Sequence, residues 1–255
     1  MELQLTSTRW DDGAMQILQQ EFYGKYSVDE SMEMISRDMA NESSALFASD
    51  SIQKATDVFF QREEGVVVAI LALKYYRWAL LGPQLFFEVV LSEGETIAFS
   101  LKPMNQLVGS TEAVFAGELA YFWVSPSYRG HGIGRKLFAY TVSRFREQLS
   151  SGDVAFTLSL GNKSHLYAGR DLKKLMLQHE EAVSGVDEKS GLIRVRSTPL
   201  ALSTVEDQLG FPVSEIGSSD GSIATEVLAR KFGMAFRGYS RNLSLLFASV
   251  VSDLS

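Results

Sequence analysis

The sequence predicts an α/β protein in which a mixed sheet is flanked by helices, and three successive stretches carry this prediction. Residues 119–124 are an aromatic and branched run typical of a buried strand, and Pro126 ends it because proline cannot donate to a β ladder. Apolar residues then recur at the three- and four-residue spacing of an amphipathic helix, at Phe138, Val142, Phe145 and Leu149. Residues 154–160 are again strand-like. Strands that alternate with helices indicate the α/β class.

Two hairpins are predicted before this core, one from residues 58–60 and 66–74 and one from residues 85–91 and 96–101. Residues 3–8 alternate like an opening strand. Two early amphipathic helices follow it, one through Met15, Leu18 and Phe22, the other through Val28, Met32, Ile35 and Met39. With 255 residues and 45% hydrophobic content, we expect one domain over residues 1–255.

Composition narrows the functional classes. The chain has no cysteine and only three histidines, so we expect no metal centre and no cysteine nucleophile. A net charge of −7 disfavours nucleic acid as a partner. No run of eighteen apolar residues is present, and the N-terminus does not resemble a signal peptide. We therefore expect a cytoplasmic protein without a membrane partner.

The loop at residues 129–134, between the central strand and its helix, predicts an anion site. Its glycines at 130, 132 and 134 let backbone N–H groups approach a ligand, and the start of the following helix adds unpaired N–H groups. Four cationic or titratable side chains crowd the same point, namely Arg129, His131, Arg135 and Lys136. Cations at the start of a helix are unfavourable because they oppose the helix dipole. A bound polyanion is the simplest way to offset this repulsion. The dinucleotide fingerprint is excluded because its third glycine would stand at Arg135.

A different pattern fits this loop. Arg129-x-x-Gly132-x-Gly134, after a strand that ends in Val-x-Pro, matches the [QR]-x-x-G-x-[GA] signature of the GNAT acetyltransferase superfamily. The chain resembles this family over about residues 57 to 162. The resemblance implies a mixed, mostly antiparallel central sheet flanked by helices, and insertions at residues 77–112 and 168–220.

The resemblance also implies acetyl-CoA as cosubstrate. In that family the loop amides and the helix start hold the pyrophosphate, and the preceding strand offers backbone groups, here those of Trp123 and Val124, to the pantetheine arm. The residues implied in cofactor binding are Phe122, Trp123, Val124, Arg129, Gly130, His131, Gly132, Ile133, Gly134, Arg135 and Asn162.

Candidate catalytic residues follow from the same resemblance. Glu118 is the candidate base, because several family members place a catalytic carboxylate at this strand position. Tyr167 is the first choice for the acid that protonates the leaving thiolate, and Tyr239 is the second. The tyrosine usual in the family stands four residues before a Gly-Phe glycine, a position that is Glu206 in one alignment and Ala229 in the other.

The expected function is transfer of an acetyl group to a primary amine of a small molecule or peptide, by direct attack. Two alternatives stay open at this point: a non-catalytic protein that binds acyl-CoA, and an N-acyl synthase that uses longer acyl thioesters. The acceptor cannot be read from the sequence. Sheet edges from the second hairpin leave room for a homodimer.

Overall fold

The computed structural model describes residues 6–7, 16–17, 20, 54–91, 96–159, 183–187, 192–195, 198–201, 203, 207, 224–240 and 244–255. The two predicted early helices lie mostly outside these ranges, and Asn162 and Tyr167 lie wholly outside them.

Twelve strands are found in the described residues. They are β1 (Thr6–Ser7), β2 (Lys54–Glu63), β3 (Val66–Arg77), β4 (Leu85–Leu91), β5 (Thr96–Pro103), β6 (Phe115–Val124), β7 (Val154–Ser159), β8 (Val183–Asp187), β9 (Leu192–Val195), β10 (Thr198–Ala201), β11 (Ala235–Tyr239) and β12 (Leu245–Val250). Ten of them form one sheet in the order β1-β2-β3-β6-β7-β12-β11-β4-β5-β10, and β8 pairs with β9 separately. Every pair in the large sheet is antiparallel except β6 with β7. This confirms the predicted mixed, mostly antiparallel sheet.

The helices lie on both faces of the sheet. They are α1 (Trp78–Leu81), α2 (Met104–Val108), α3 (Ile133–Gln148) and α4 (Ala224–Lys231). Apolar residues of α3 and α4 share one buried cluster with strands of the sheet. Those of α1 and α2 share another cluster, which also contains Ala116 and Phe156. A third cluster, of β2, β3 and β6 residues, is contacted by Ile17.

Helix α3 packs very closely on β6, which shows which way the strand's side chains point. A Cβ added to Gly117 would lie 2.6 Å from the Phe145 ring of α3. Gly117 therefore faces α3, and the neighbouring Glu118 faces the opposite side, because successive side chains of a strand alternate. We call these two sides the α3 face and the opposite face.

Both segments that the family resemblance marks as insertions contribute to the same end of the sheet. The hairpin β4–β5 attaches to β11 through Tyr239 and Phe87, and β10 covers the other side of β5. The second hairpin suggested a homodimer through its free edges, but both of its outer sides are paired within the chain, and β10 is the edge at this end of the sheet among the described strands. The homodimer and the single-domain organisation stay predictions.

The predicted elements that fall within the described residues agree with the structure in kind and differ in length. The first hairpin is longer than predicted, with β2 and β3 joined by a turn at Glu64 and Gly65. Strand β6 begins at Phe115 rather than at residue 118 or 119, because Ala116 and Gly117 are small enough to lie beneath packed aromatic rings. Among the described helices, none is long and apolar enough to cross a membrane.

Candidate active site

The site is built where β6 and β7 part. Their parallel pairing runs from Ala116 with Val154 to Leu119 with Thr157 and stops there. Strand β6 continues to Val124 on β3 alone. At the last pair, the Thr157 hydroxyl donates a hydrogen bond of 3.0 Å to the Leu119 carbonyl. Beyond this point no described strand pairs with the β7 side of β6, and we call this side the open edge.

A β-bulge marks the same point on the other side of β6. Ala72 pairs with Tyr121 but Leu73 pairs with Leu119, so Ala120 is an extra residue on β6. A bulge bends its strand and increases the local twist, which turns β6 away from β7. The sequence analysis did not predict it, since one alanine in an aromatic run carries no distinguishing signal.

The register identifies the backbone groups on the open edge. The Ser125 N–H donates to Val68 on β3 at 2.8 Å, so alternation turns the N–H and C=O of Val124 and Phe122 towards the open side. The backbone of Trp123 points to β3 by the same alternation. The Val124 carbonyl accepts a 3.1 Å hydrogen bond from Arg129 Nε, which fixes the following loop against the strand.

The loop has the backbone that the glycine pattern predicts. Gly130 and Gly132 have φ of +81° and +78°, which favour glycine, and a Cβ added to either would meet nothing within 4 Å. Gly132 is the N-cap of α3, whose first turn holds no acidic residue and no side-chain cap. The first N–H groups of α3 have no partner within the helix.

Side chains around the loop divide into two groups. Those of Arg129, His131, Arg135 and Lys136 are exposed. Ile133 is only 2% exposed and anchors the helix start in the core. A Cβ on Gly134 would lie 3.4 Å from Phe122 Cζ, so the helix start packs directly against the open half of β6. Loop and open edge form one continuous surface.

Glu118 lies on the opposite face, next to the bulge. Its Oε2 accepts a hydrogen bond of 2.5 Å from the Tyr76 hydroxyl on β3. Lys74, which is 6% exposed, is its direct cross-strand neighbour and places Nζ 5.3 Å from the centre of the Tyr121 ring. The carboxylate is thus within one residue of the point where β6 and β7 part.

Of the two candidate tyrosines, Tyr239 lies within the described residues and Tyr167 does not. Asn162 also lies outside the described residues. Tyr239 is 6% exposed on β11, with its ring 5.3 Å from that of Phe236. Helix α4 leads directly into the β11–β12 hairpin, and its Ala229 is fully buried in the core. At that position α4 therefore carries no hydroxyl.

Two polar residues that the sequence analysis missed lie on the α3 face beyond the same parting point. Ser159, at the end of β7, donates a 3.2 Å hydrogen bond to Oε1 of Glu226 in the first turn of α4. Glu226 is only 1% exposed. No local signal could have found this pair, because its members are 67 residues apart.

The described residues whose pKa values are shifted do not lie at the loop. They lie around the C-terminal half of α3. Burial raises the pKa of Asp57, and the nearby Arg144 guanidinium opposes this rise. Burial also raises the pKa of Tyr75 above its usual range, and the Tyr75 hydroxyl has no hydrogen-bond partner. Arg144 is about 16 Å along the helix axis from Ile133, at ~1.5 Å per residue. These groups therefore belong to the core and not to the loop.

Among the described residues, no group of three or more His, Asp or Glu side chains is placed to hold a metal ion. The arrangement instead offers backbone N–H donors and cations for a polyanion, an open strand edge for an extended ligand, and a carboxylate beside the parting point.

Comparisons with known proteins agree with this geometry. Residues 50–163 match the acetyltransferase (GNAT) family model. No curated protein sequence matches the chain. The structure of arginine/ornithine succinyltransferase subunit AI from Pseudomonas aeruginosa is similar, with a TM-score of 0.53 and 12% identity over 98% of this chain and 77% of that one.

Two other structures give lower scores. An aminoglycoside 6'-N-acetyltransferase complexed with coenzyme A has a TM-score of 0.43 and 11% identity, over 98% of this chain and 97% of that one. The aminoglycoside 6'-N-acetyltransferase from Enterococcus faecium has a TM-score of 0.39 and 12% identity, over 98% and 97%.

Residues 50–163, less than half of the chain, are similar to the acetyltransferase (GNAT) family, and this match indicates an acyltransferase. The fold is similar to that of the succinyltransferase subunit.

Proposed function

We propose that the protein is an acetyl-CoA-dependent N-acetyltransferase that moves the acetyl group to a primary amine by direct attack. The observation that carries the proposal is the continuous surface formed by the glycine loop and the open half of β6. One ligand that is both a polyanion and an extended amide chain matches both parts of that surface, and coenzyme A is such a ligand.

The loop would hold the pyrophosphate. The N–H groups at the start of α3 and the left-handed glycines give close access to backbone donors, and the exposed Arg129, Arg135 and Lys136 supply positive charge. His131 is exposed beside them.

The open edge would hold the pantetheine arm. Its amides can pair with the Val124 N–H and with the N–H and C=O of Phe122, as an added strand would. An arm that runs from the loop along this edge brings its thioester to the parting point of β6 and β7, because that is where the edge ends.

Glu118 is the base in this proposal. It lies on the opposite face at the parting point, so an amine that approaches from that face meets the carboxylate as it reaches the thioester. The amine nitrogen bonds to the carbonyl carbon, its proton passes to Glu118, and the C–S bond breaks to release the thiolate. Tyr167, or in second place Tyr239, would return a proton to the thiolate.

Ligand binding is the first test. Acetyl-CoA or CoA at a hundredfold excess over its dissociation constant stabilises the native state by about 2.7 kcal/mol, which raises the melting temperature. We expect Gly132→Leu to abolish this rise, because a side chain there occupies the space in front of the amides.

Gly65→Leu is the matched control. Gly65 also has a left-handed φ, of +83°, and open space around its Cβ position, but it lies in the β2–β3 turn. It should lose comparable stability and keep the full response to CoA. A wild-type protein whose melting temperature does not move with acetyl-CoA, CoA or longer acyl-CoAs would contradict the proposal.

Turnover is the second test, and the composition makes it simple. Because the chain has no cysteine, a thiol reagent reports only the CoA released from the acyl thioester. Acetyl-CoA is offered with polyamines, amino acids and aminosugars in turn, and acyl chains of increasing length are then compared on the best amine. A preference for long chains would replace acetyl transfer by N-acyl synthesis.

A further inference from the structure

A second residue, from the neighbouring strand, holds the carboxylate of Glu118. The Tyr76 hydroxyl donates to Glu118 Oε2 at 2.5 Å, at the short end of the ~2.5–2.7 Å range of hydroxyl to carboxylate bonds. The two residues are 42 positions apart in the chain.

The Tyr76 ring is itself fixed on the opposite face. Tyr76 pairs with Ala116 of β6, whose small side chain leaves room for the ring to reach β7. There the ring lies 6.3 Å from that of Phe156, with 39° between the planes. Phe156 is also the β7 partner of Glu118, so one packing contact places both the hydroxyl and the carboxylate.

We propose that Tyr76 is a positioning residue for Glu118, which rests on the proposed function. Its hydroxyl occupies Oε2 and leaves Oε1 to take the amine proton. Tyr76 also holds the flexible glutamate side chain in one orientation next to the bulge. Lys74 and Tyr121 border the same carboxylate from β3 and β6 but do not hold it in this way.

Tyr76→Phe tests the role, because it removes only the hydroxyl and keeps the ring on Phe156. We expect kcat to fall about tenfold while KM for acetyl-CoA stays within about twofold, since a mispositioned base slows the proton transfer without touching the CoA surface. The increase in melting temperature with CoA should equal that of the wild type.

Tyr75→Phe is the matched control on the adjacent residue. It removes the same atom from the same strand, but Tyr75 faces α3, with its ring 6.0 Å from Phe145, and its hydroxyl has no partner. Its kcat and KM should equal those of the wild type. Equal losses in the two variants would overturn the proposal, because they would reflect disturbance of β3 and not the bond to Glu118.

A double-mutant cycle with Glu118→Gln separates this proposal from the one on which it rests. If Tyr76 acts through Glu118, adding Tyr76→Phe to Glu118→Gln should lower kcat by less than twofold further. An undiminished tenfold loss in that background would overturn the positioning role. Wild-type kcat in Tyr76→Phe alone would overturn it while leaving acetyl transfer intact. A wild-type protein that neither binds nor consumes acetyl-CoA overturns the proposed function and the role together.

Discussion

The two halves of β6 have the same sequence character and different surroundings. Residues 115–119 are paired with β3 on one side and, from Ala116, with β7 on the other, whereas among the described strands residues 121–124 are paired only with β3. The bulge at Ala120 is the border. The doubly paired half carries Glu118, the proposed base, and the open half carries the backbone groups that we propose bind the ligand. One strand thus supplies both parts of the site because its pairing changes midway.

The largest effect is expected for Glu118, the proposed base in the doubly paired half of β6. Glu118→Gln should lower turnover about a hundredfold or more at neutral pH, with acetyl-CoA affinity nearly unchanged, because the amide cannot accept the amine proton. The loss should shrink at high pH, where the amine is already free of its extra proton. Measuring kcat against pH with the best amine checks this, and wild-type turnover at pH 7 would make Glu118 a structural residue.

The protonation of the leaving thiolate is tested at the two candidate tyrosines. Tyr167→Phe should lower turnover about ten- to a hundredfold and leave CoA binding intact, while Tyr239→Phe should be neutral. Steady-state kinetics of both variants decide the matter. The reverse result would favour α4 and the β11–β12 hairpin as the source of the acid, as their order in the chain allows. If neither variant loses turnover, water protonates the thiolate.

Packing of the doubly paired half is tested at Gly117. An alanine Cβ there would lie 2.6 Å from the Phe145 ring, so Gly117→Ala should cost about 2 kcal/mol of stability in urea unfolding. The rise in melting temperature with CoA should persist, because the proposed ligand contacts are in the other half. Gly134→Ala is the control: its Cβ would make only a close contact with Phe122, so stability should change little. Equal costs for the two variants would contradict the assigned packing.

The smallest effect is expected opposite Gly117, at its β3 partner Tyr75. Tyr75→Phe removes a buried hydroxyl that has no partner, so it should raise stability by about 1 kcal/mol. A loss of stability in urea unfolding would mean that a bound water satisfies this hydroxyl.

The sequence alone predicts the features that residues within a short stretch of the chain determine. Pro126, the glycines of the loop and the apolar period of α3 each determine structure within a few residues, and the predicted strand, loop and helix are confirmed there. The second hairpin is confirmed for the same reason.

Features that depend on pairing between strands far apart in the chain could not be predicted from the sequence. The attachment of β4 to β11, the bulge at Ala120 and the hydrogen bond between Tyr76 and Glu118 depend on which strands meet in the sheet. Neither composition nor periodicity shows which strands pair in the sheet. The roles of Glu118, Tyr239 and the loop residues stay predictions, as do those of Asn162 and Tyr167 outside the described ranges.

The segment between β3 and β6 has a consequence for the free energy of binding. Its helices α1 and α2 share one buried cluster with residues from β6, β7 and β12, which lie on both sides of the parting point. Because these strands share one packed core, we expect the width of the opening to be set already in the ligand-free protein. Binding then costs the entropy that the ligand loses but no further entropy for ordering the protein. Preorganisation of this kind favours affinity at a given contact area.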